Sequence, residues 1–146
     1  MKVRSFLKAV DHERIVAAIR DAEARSTAEV RVHVSNEPVE DAQKAAAAQF
    51  EKLGMTATRD RNGVLVFIAP AAQKFAIFGD AGIDARCGPD FWQEAAAAMG
   101  DDFHAGRFTD GIVKTVARVG EALAAYFPCA GGRKDVNELP DEVSEE

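Results

Sequence analysis

The sequence predicts an α/β fold in which a small mixed β-sheet is packed between helices. Residues 62–84 contain two short apolar runs, Val64–Ala69 and Phe75–Phe78, on either side of a Pro-containing turn. This pattern is typical of a β-hairpin of buried strands. Together with the first strand of the hairpin, the segment before it has the pattern strand, helix, strand, which favours a parallel, right-handed crossover. A βαβ unit extended by a hairpin gives an α/β sandwich.

The chain enters the predicted sheet through a helix and an alternating strand. Asp11 can cap a helix that ends near Ser26. Residues 28–34 then alternate between valines and polar residues, and successive side chains of a strand point to opposite faces. We therefore expect a half-exposed strand, with Arg31 and His33 on its solvent side.

Further helices are predicted on both sides of the hairpin. Asn36 and Pro38 can open the helix before it, and Gly54 can end that helix. Gly88–Pro89 start a third helix, and Thr109 can cap a fourth. The element order is therefore α-β-α-β-β-α-α.

The fourth predicted helix contains two internal glycines, Gly111 and Gly120. Each weakens a helix by about 1 kcal/mol relative to alanine. Either they permit close packing against the sheet or another helix, or they are simply tolerated. The sequence leaves both alternatives open.

The composition indicates one domain, residues 1–128, followed by an acidic C-terminal tail, residues 129–146. A chain of 146 residues can bury roughly two-thirds of its unfolded surface in one core. Residues 130–146 carry six acidic side chains against two basic ones. Such a tail is either flexible or docked, in a groove or along an exposed edge strand of its own sheet.

The composition also bears on partners and location. A net charge of −6 argues against a nucleic-acid partner, which would call for a basic stripe. The sequence shows neither a secretory signal nor an apolar run long enough to span a membrane. Cys87 and Cys129 are the two cysteines, and they form no CxxC motif. We expect a soluble, cytoplasmic protein with two reduced structural thiols, although the position of Cys87 before a helix start favours a lowered pKa.

The predicted topology brings polar segments together at one edge of the sheet. The first two strands begin there and the antiparallel third strand ends there, so Glu23–Thr27, Asp60–Asn62 and Gly79–Asp84 converge. We refer to these three segments as the acidic edge. Residues 35–37 and the Pro70 turn lie at the opposite edge, and they are a poorer set of side chains for catalysis or metal binding.

The chain resembles the TPM domain family. The resemblance lies in an ordered series of segments that spans roughly residues 6–128: Thr27–Val30, Phe50–Met55, Arg61–Leu65, Ala76–Ile83 and Phe103–Ile112. The family takes its name from a thylakoid lumen protein, a photosystem II repair protein and a modulator of acetylcholine receptors. The resemblance implies a compact α/β sandwich and a free-standing bacterial member. It also implies a choice among weak acid phosphatase activity, calcium binding and non-enzymatic assembly roles.

Four residues of the acidic edge are candidate metal ligands: Asp60, Asn62, Asp80 and Asp84. Calcium takes six to eight oxygens from carboxylates, carbonyls and waters, and loops at a sheet edge can supply them. Ca²⁺ or Mg²⁺ would be the ion. The alternative is that these aspartates cap turns by accepting hydrogen bonds from nearby backbone N–H groups.

Two functional hypotheses follow from the acidic edge. The first is a non-catalytic binding or accessory module that works through a protein partner, with a divalent-cation site at this edge. The second is a slow, metal-dependent acid phosphatase, in which Asp80 or Asp60 holds the metal or attacks phosphorus and Arg61 stabilises the phosphoryl oxygens. Gly79–Gly82 is expected to open no helix directly, and it lacks the Lys-Ser/Thr of a P-loop.

Overall fold

The structure is a computed structural model that describes residues 1–129 and the strand at 143–145. The helices of this part are α1 (Val3–Ala9), α2 (His12–Ala24), α3 (Ala42–Lys52), α4 (Ala81–Cys87), α5 (Pro89–His104) and α6 (Phe108–Tyr126). The strands are β1 (Val30–Val34), β2 (Val64–Ala69), β3 (Lys74–Gly79) and β4 (Val143–Glu145). Within the described residues, no helix has the length and apolar character needed to cross a bilayer.

The strands form one mixed sheet with the order β3-β2-β1-β4. β1 runs parallel to β2, with Val30 opposite Val64, and β3 runs antiparallel to β2. A single 3₁₀ turn, Pro70–Ala72, joins the two strands of the hairpin. β4 adds to the free side of β1 in parallel, with Val32 opposite Val143. The predicted βαβ unit with its hairpin, and with it the α/β class, is confirmed.

Helices cover both faces of this sheet. The larger apolar cluster joins one face of β1 and β2, represented by Val32 and Val66, to α2, α5 and α6. A smaller cluster joins Leu65 and Phe67 on the other face to Phe50 of α3. Because apolar side chains alternate along β2 between the two clusters, every residue of that strand is buried. The sheet is therefore the middle layer of a sandwich.

The expectation of a half-exposed first strand is wrong. All five residues of β1 are buried, including Arg31 and His33, and the ring of His33 is 1% exposed. The imidazole stacks on Phe67, with ring centroids 5.8 Å apart and planes inclined by 22°. The alternation identified the valine face correctly, but the polar face of β1 adjoins the packed layer beneath α3. His33 is consequently not a surface residue.

Two helix starts differ from the prediction. α3 begins at Ala42 rather than at Asn36 or Pro38, because the Asp41 side chain accepts a hydrogen bond from a first-turn amide. Thr109 lies inside the first turn of α6 and does not cap it. Its hydroxyl oxygen instead accepts the backbone N–H of Asp11, at 3.0 Å, and so joins the N-termini of α2 and α6.

The sequence did not predict α1 and α4. Each has seven residues, about two turns, which is too short for a 3.6-residue apolar period to show. The expectation that Gly79–Gly82 opens no helix is wrong. The Asp80 carboxylate accepts the backbone N–H of Ala81, at 2.8 Å, and caps α4 directly.

Gly120 permits the closest helix approach in α6. A Cβ added there would lie 2.8 Å from the Cβ and 3.2 Å from the Cα of Ala22 in α2. Distances this short leave no room for a methyl group between the helices. The close-packing alternative considered for this glycine is confirmed.

We expect Gly120→Ala to lower the free energy of unfolding by up to about 2 kcal/mol. Overpacking a well-filled contact costs about 1–3 kcal/mol, which exceeds the gain in helix propensity of about 1 kcal/mol. Urea denaturation measures the change. The double variant Ala22→Gly/Gly120→Ala moves the methyl group across the interface and should recover most of the loss. A single variant as stable as the parent would contradict the close contact.

Candidate functional site

The parallel pairing of β1 and β2 assembles the acidic edge. Both strands begin at this edge and β3 ends there, so Thr27, Asp60–Asn62 and Asp80 come from three separate parts of the chain. The backbone N–H of Asp80 donates to the Gly63 carbonyl, at 3.0 Å, which fixes the end of β3 against the start of β2. The structure thus brings together the segments that the topology placed at one edge.

Thr27 links the two polar residues that precede β2. Its hydroxyl donates to Asp60 Oδ2 at 2.7 Å, and Asn62 Nδ2 donates to Thr27 Oγ1 at 3.0 Å. Asn62 is fully buried. Its other amide atom, Oδ1, has no hydrogen-bond partner among the described residues. A buried amide oxygen left in this state is costly to the folded protein.

Arg61 and Asp80 form a two-point ion pair. Arg61 Nε donates to Asp80 Oδ2 at 2.6 Å and Nη2 donates to Oδ1 at 2.9 Å. These hydrogen bonds, and then the charge of Asp80, raise the pKa of Arg61. The Asp80 side chain is 6% exposed and that of Arg61 is 51% exposed. With the Ala81 N–H included, both carboxylate oxygens of Asp80 are occupied by hydrogen bonds.

The backbone at Arg61 and Gly82 holds this ion pair in place. Arg61 has a φ of 50°, a left-handed conformation that costs a non-glycine residue roughly 1–2 kcal/mol. The N–H of Gly82 donates to the Arg61 carbonyl at 2.7 Å. A Cβ on Gly82 would lie 2.1 Å from the carbonyl oxygen of Asp60. Only glycine lets α4 dock this closely, and such local strain is found most often at functional sites.

Asp84 faces α5 and not Asp60 or Asn62. Its Oδ1 accepts the indole N–H of Trp92 at 2.8 Å. Of the four predicted metal ligands, Asp60 and Asn62 are joined through Thr27, Asp80 is held by Arg61, and Asp84 bonds to Trp92. Among residues 1–129, no three His, Cys, Asp or Glu side chains are grouped closely enough to hold a metal ion. The metal assignment stays a prediction.

Three contributors to this region were not identified from the sequence as functional side chains. Thr27 was placed at the edge, but its bridging hydroxyl was not anticipated. The signal for Trp92 was its indole N–H, which needs a hydrogen-bond partner where the ring is buried. Glu23 is 2% exposed, and its Oε2 accepts the backbone N–H of Val30 at 2.9 Å. A glutamate in an otherwise apolar helix face was the available signal for this last contact.

Cys87 does not have the lowered pKa that its position favoured. Burial of the thiol and, second, the charge of Asp84 raise its pKa. The nearby negative charge and the loss of water disfavour the thiolate. Within the part of the chain that the structure describes, Cys87 and Cys129 are half-buried and form no disulfide. The structure therefore offers no activated thiol at Cys87.

Comparison with known proteins identifies the family. A model of the TPM domain matches residues 2–122. The chain belongs to the TPM domain family. The solved NMR structure of the BA42 protein, from the psychrophilic bacterium Bizionia argentinensis, is similar, with 38% sequence identity over 92% of each chain and a TM-score of 0.81. A search of curated proteins finds no match. The resemblance read from the sequence is confirmed.

In this TPM domain, Thr27→Val should lower the free energy of unfolding by about 1–3 kcal/mol. The change keeps the side-chain shape but leaves Asn62 Nδ2 buried without its acceptor and Asp60 without a donor. Thr27→Ser keeps the hydroxyl and should cost less than about 1 kcal/mol, the value of one methyl group. Urea denaturation compares the two variants. Equal stabilities would show that the hydroxyl does not bridge these residues.

The thiol of Cys87 should react with iodoacetamide at a higher pH than a free cysteine does. Burial and Asp84 raise its pKa, so the thiolate forms only at higher pH. Peptide-resolved mass spectrometry across a pH series measures the midpoint. Asp84→Asn should lower that midpoint, while Asp110→Asn, on the exposed surface of α6, should leave it unchanged. A midpoint below that of a free thiol would contradict the assignment.

Proposed function

We propose that this TPM domain is a non-catalytic binding or accessory module, with a divalent-cation site centred on Asp60 and Asn62. The observation that supports the cation site is the buried Asn62 Oδ1, which has no hydrogen-bond partner among the described residues. A buried acceptor in this state costs about 1–3 kcal/mol. A cation beside it would supply the missing interaction.

The donors of this edge suit a hard cation. Ca²⁺ and Mg²⁺ bind carboxylate, amide and carbonyl oxygens and complete their shells with water. Asp60 supplies a negative charge close to Asn62 through their common contact with Thr27. Asp80 and Asp84 are the further ligands, and each would first exchange its present partner, Arg61 or Trp92. This exchange makes the expected affinity weak, with a Kd on the order of 10⁻⁴–10⁻³ M.

The occupied state of Asp80 favours binding over catalysis. A carboxylate that attacks phosphorus needs an oxygen free of strong donors. Both oxygens of Asp80 accept hydrogen bonds from Arg61, and one also accepts the first amide of α4. Arg61 is likewise neutralised by this pairing and does not present an unpaired charge to a phosphate. The acid phosphatase hypothesis for Asp60, Arg61 and Asp80 stays the alternative prediction.

The proposed partner is a protein, and the proposed location is the cytoplasm. The partner of an accessory module is another protein, and the net charge of −6 does not support nucleic acid in that role. Two cysteines that form no disulfide among the described residues are typical of a reducing compartment, which supports a cytoplasmic location.

A cation titration tests the proposed site. Chelator-treated protein is titrated with Ca²⁺ and with Mg²⁺, and amide NMR shifts are followed. We expect saturable shifts confined to residues 60–63 and 79–84. Asp60→Asn keeps an acceptor for Thr27 but removes the charge, so it should weaken binding at least tenfold. Asp110→Asn is the matched control and should bind as the parent does. Unchanged spectra at millimolar cation would refute the cation site.

An assay with a chromogenic phosphomonoester separates the two hypotheses. With saturating Mg²⁺, the binding module should hydrolyse the ester no faster than the protein-free solution. Turnover that disappears in Asp80→Asn, with the NMR spectrum otherwise preserved, would support the phosphatase instead.

A further inference from the structure

We infer that the outer edge of β1 is a docking site for an extended, acid-bearing peptide that adds a parallel strand, and that residues 143–145 occupy it as an internal competitor. By the outer edge of β1 we mean the backbone side that faces away from β2. The inference rests on the proposed role as a binding module, because it names the surface and the kind of protein segment that would bind.

The hydrogen-bond pattern shows which residues of β1 face this edge. The Glu29 carbonyl accepts the N–H of Val64 at 2.9 Å, and the N–H of Ser35 donates to the Ile68 carbonyl at 2.8 Å. Glu29 and Ser35 therefore direct their backbone groups towards β2. Because these groups alternate along a strand, Arg31 and His33 also face β2. Val30, Val32 and Val34 direct theirs to the outer edge.

One end of the outer edge is closed by a side chain. The N–H of Val30 donates to Glu23 Oε2 at 2.9 Å, and this carboxylate is buried. A buried strand edge without partners would be costly and prone to pair with other chains. The backbone groups of Val32 and Val34 need a second strand.

Within the described residues 143–145, Ser144 is the residue whose backbone groups face this edge. In the parallel register, His33 lies opposite Ser144, between Val32 and Val34. A residue in this position donates its N–H to one neighbour and accepts from the next. The N–H of Ser144 therefore faces the Val32 carbonyl, and its carbonyl faces the Val34 N–H. The backbone groups of Val143 and Glu145 point away from β1.

The path of the chain makes this strand an intramolecular competitor. After α6, the Phe127 carbonyl accepts the N–H of Thr27 at 3.0 Å, and Pro128 pairs with Ser26. The chain thus leaves α6 beside the residues that lead into β1. Thirteen residues, 130–142, connect this point to β4 and reach at most about 45 Å when extended. A tether of this length gives an effective concentration on the order of millimolar.

Charge indicates what kind of partner segment fits. Residues 130–146 carry six acids against two bases. On β1, Arg31 is 9% exposed, and its buried Nε has no hydrogen-bond partner among the described residues. A buried cation next to the docking strand favours a segment that carries carboxylates. The partner is therefore an extended acidic segment, and peptides add to sheet edges in this way through main-chain hydrogen bonds.

Two proline variants of the full chain test the inference. Among residues 143–145, Ser144→Pro removes the N–H that faces β1, whereas Val143→Pro removes an N–H that points away from it. The probe is a fluorescent peptide with the sequence of residues 130–146. We expect it to bind the Ser144→Pro protein at least fivefold more tightly than the Val143→Pro protein or the parent. A peptide that itself carries Ser144→Pro should not show this gain.

Amide hydrogen exchange gives an independent readout. In Ser144→Pro the Val34 amide should exchange faster than in the parent, because its acceptor is displaced, while the His33 amide keeps its partner in β2. Equal peptide affinity for both variants, with Val34 exposed in Ser144→Pro, would overturn the docking site. A parent protein that elutes as a dimer, and a monomeric Ser144→Pro, would overturn the intramolecular arrangement. Both readouts are made without added cation, so failure of the cation site leaves them unaffected.

Discussion

The parallel pairing of β1 with β2 is the constraint on which the rest of the structure depends. Parallel strands start at the same edge, so the pairing of Val30 with Val64 brings the loop before β1 next to the loop before β2. The antiparallel β3 then returns the chain to that edge. The acidic edge, the docking of α4 and the contact between Thr27 and Asp60 all require this register. A shift of this pairing by one residue would turn the faces of one strand over relative to the other. It would remove the contacts at the acidic edge.

At two places in the domain, a glycine allows a helix to pack closely against its neighbour. Gly120 brings α6 onto Ala22, and Gly82 brings α4 onto the carbonyl of Asp60. The first contact fixes two long helices over one face of the sheet, and the second fixes a short helix over the polar loops. The left-handed backbone conformation of Arg61 is maintained by the ion pair with Asp80 and by the hydrogen bond from the N–H of Gly82. Contacts of Asp80 and Gly82 within the acidic edge therefore maintain the strained conformation of Arg61.

The sequence was sufficient for β1, β2 and β3, because Val64–Ala69 is apolar throughout and turn residues bound it, but it did not predict β4 as a strand. It was not sufficient for α4, which is two turns long and carries no visible period. It was also misleading for His33, since alternation along one strand does not tell whether a neighbouring layer covers the polar face. For the acidic edge, topology alone predicted which segments meet. The pairing of each carboxylate with its hydrogen-bond donor depends on side-chain rotamers and on the position of Trp92. Residue spacing in the sequence does not predict either.

Thr27 contacts two different parts of the chain, one through its backbone N–H and one through its hydroxyl. Its amide holds the chain that leaves α6, through the Phe127 carbonyl, while its hydroxyl holds Asp60. Thr27 thus joins the acidic edge to the point where the chain leaves α6 on its way to residues 143–145. Thermodynamic linkage makes any influence between them mutual. If a cation at Asp60 loosens the tether that delivers residues 143–145 to β1, then a peptide that displaces those residues must change the cation affinity by the same factor.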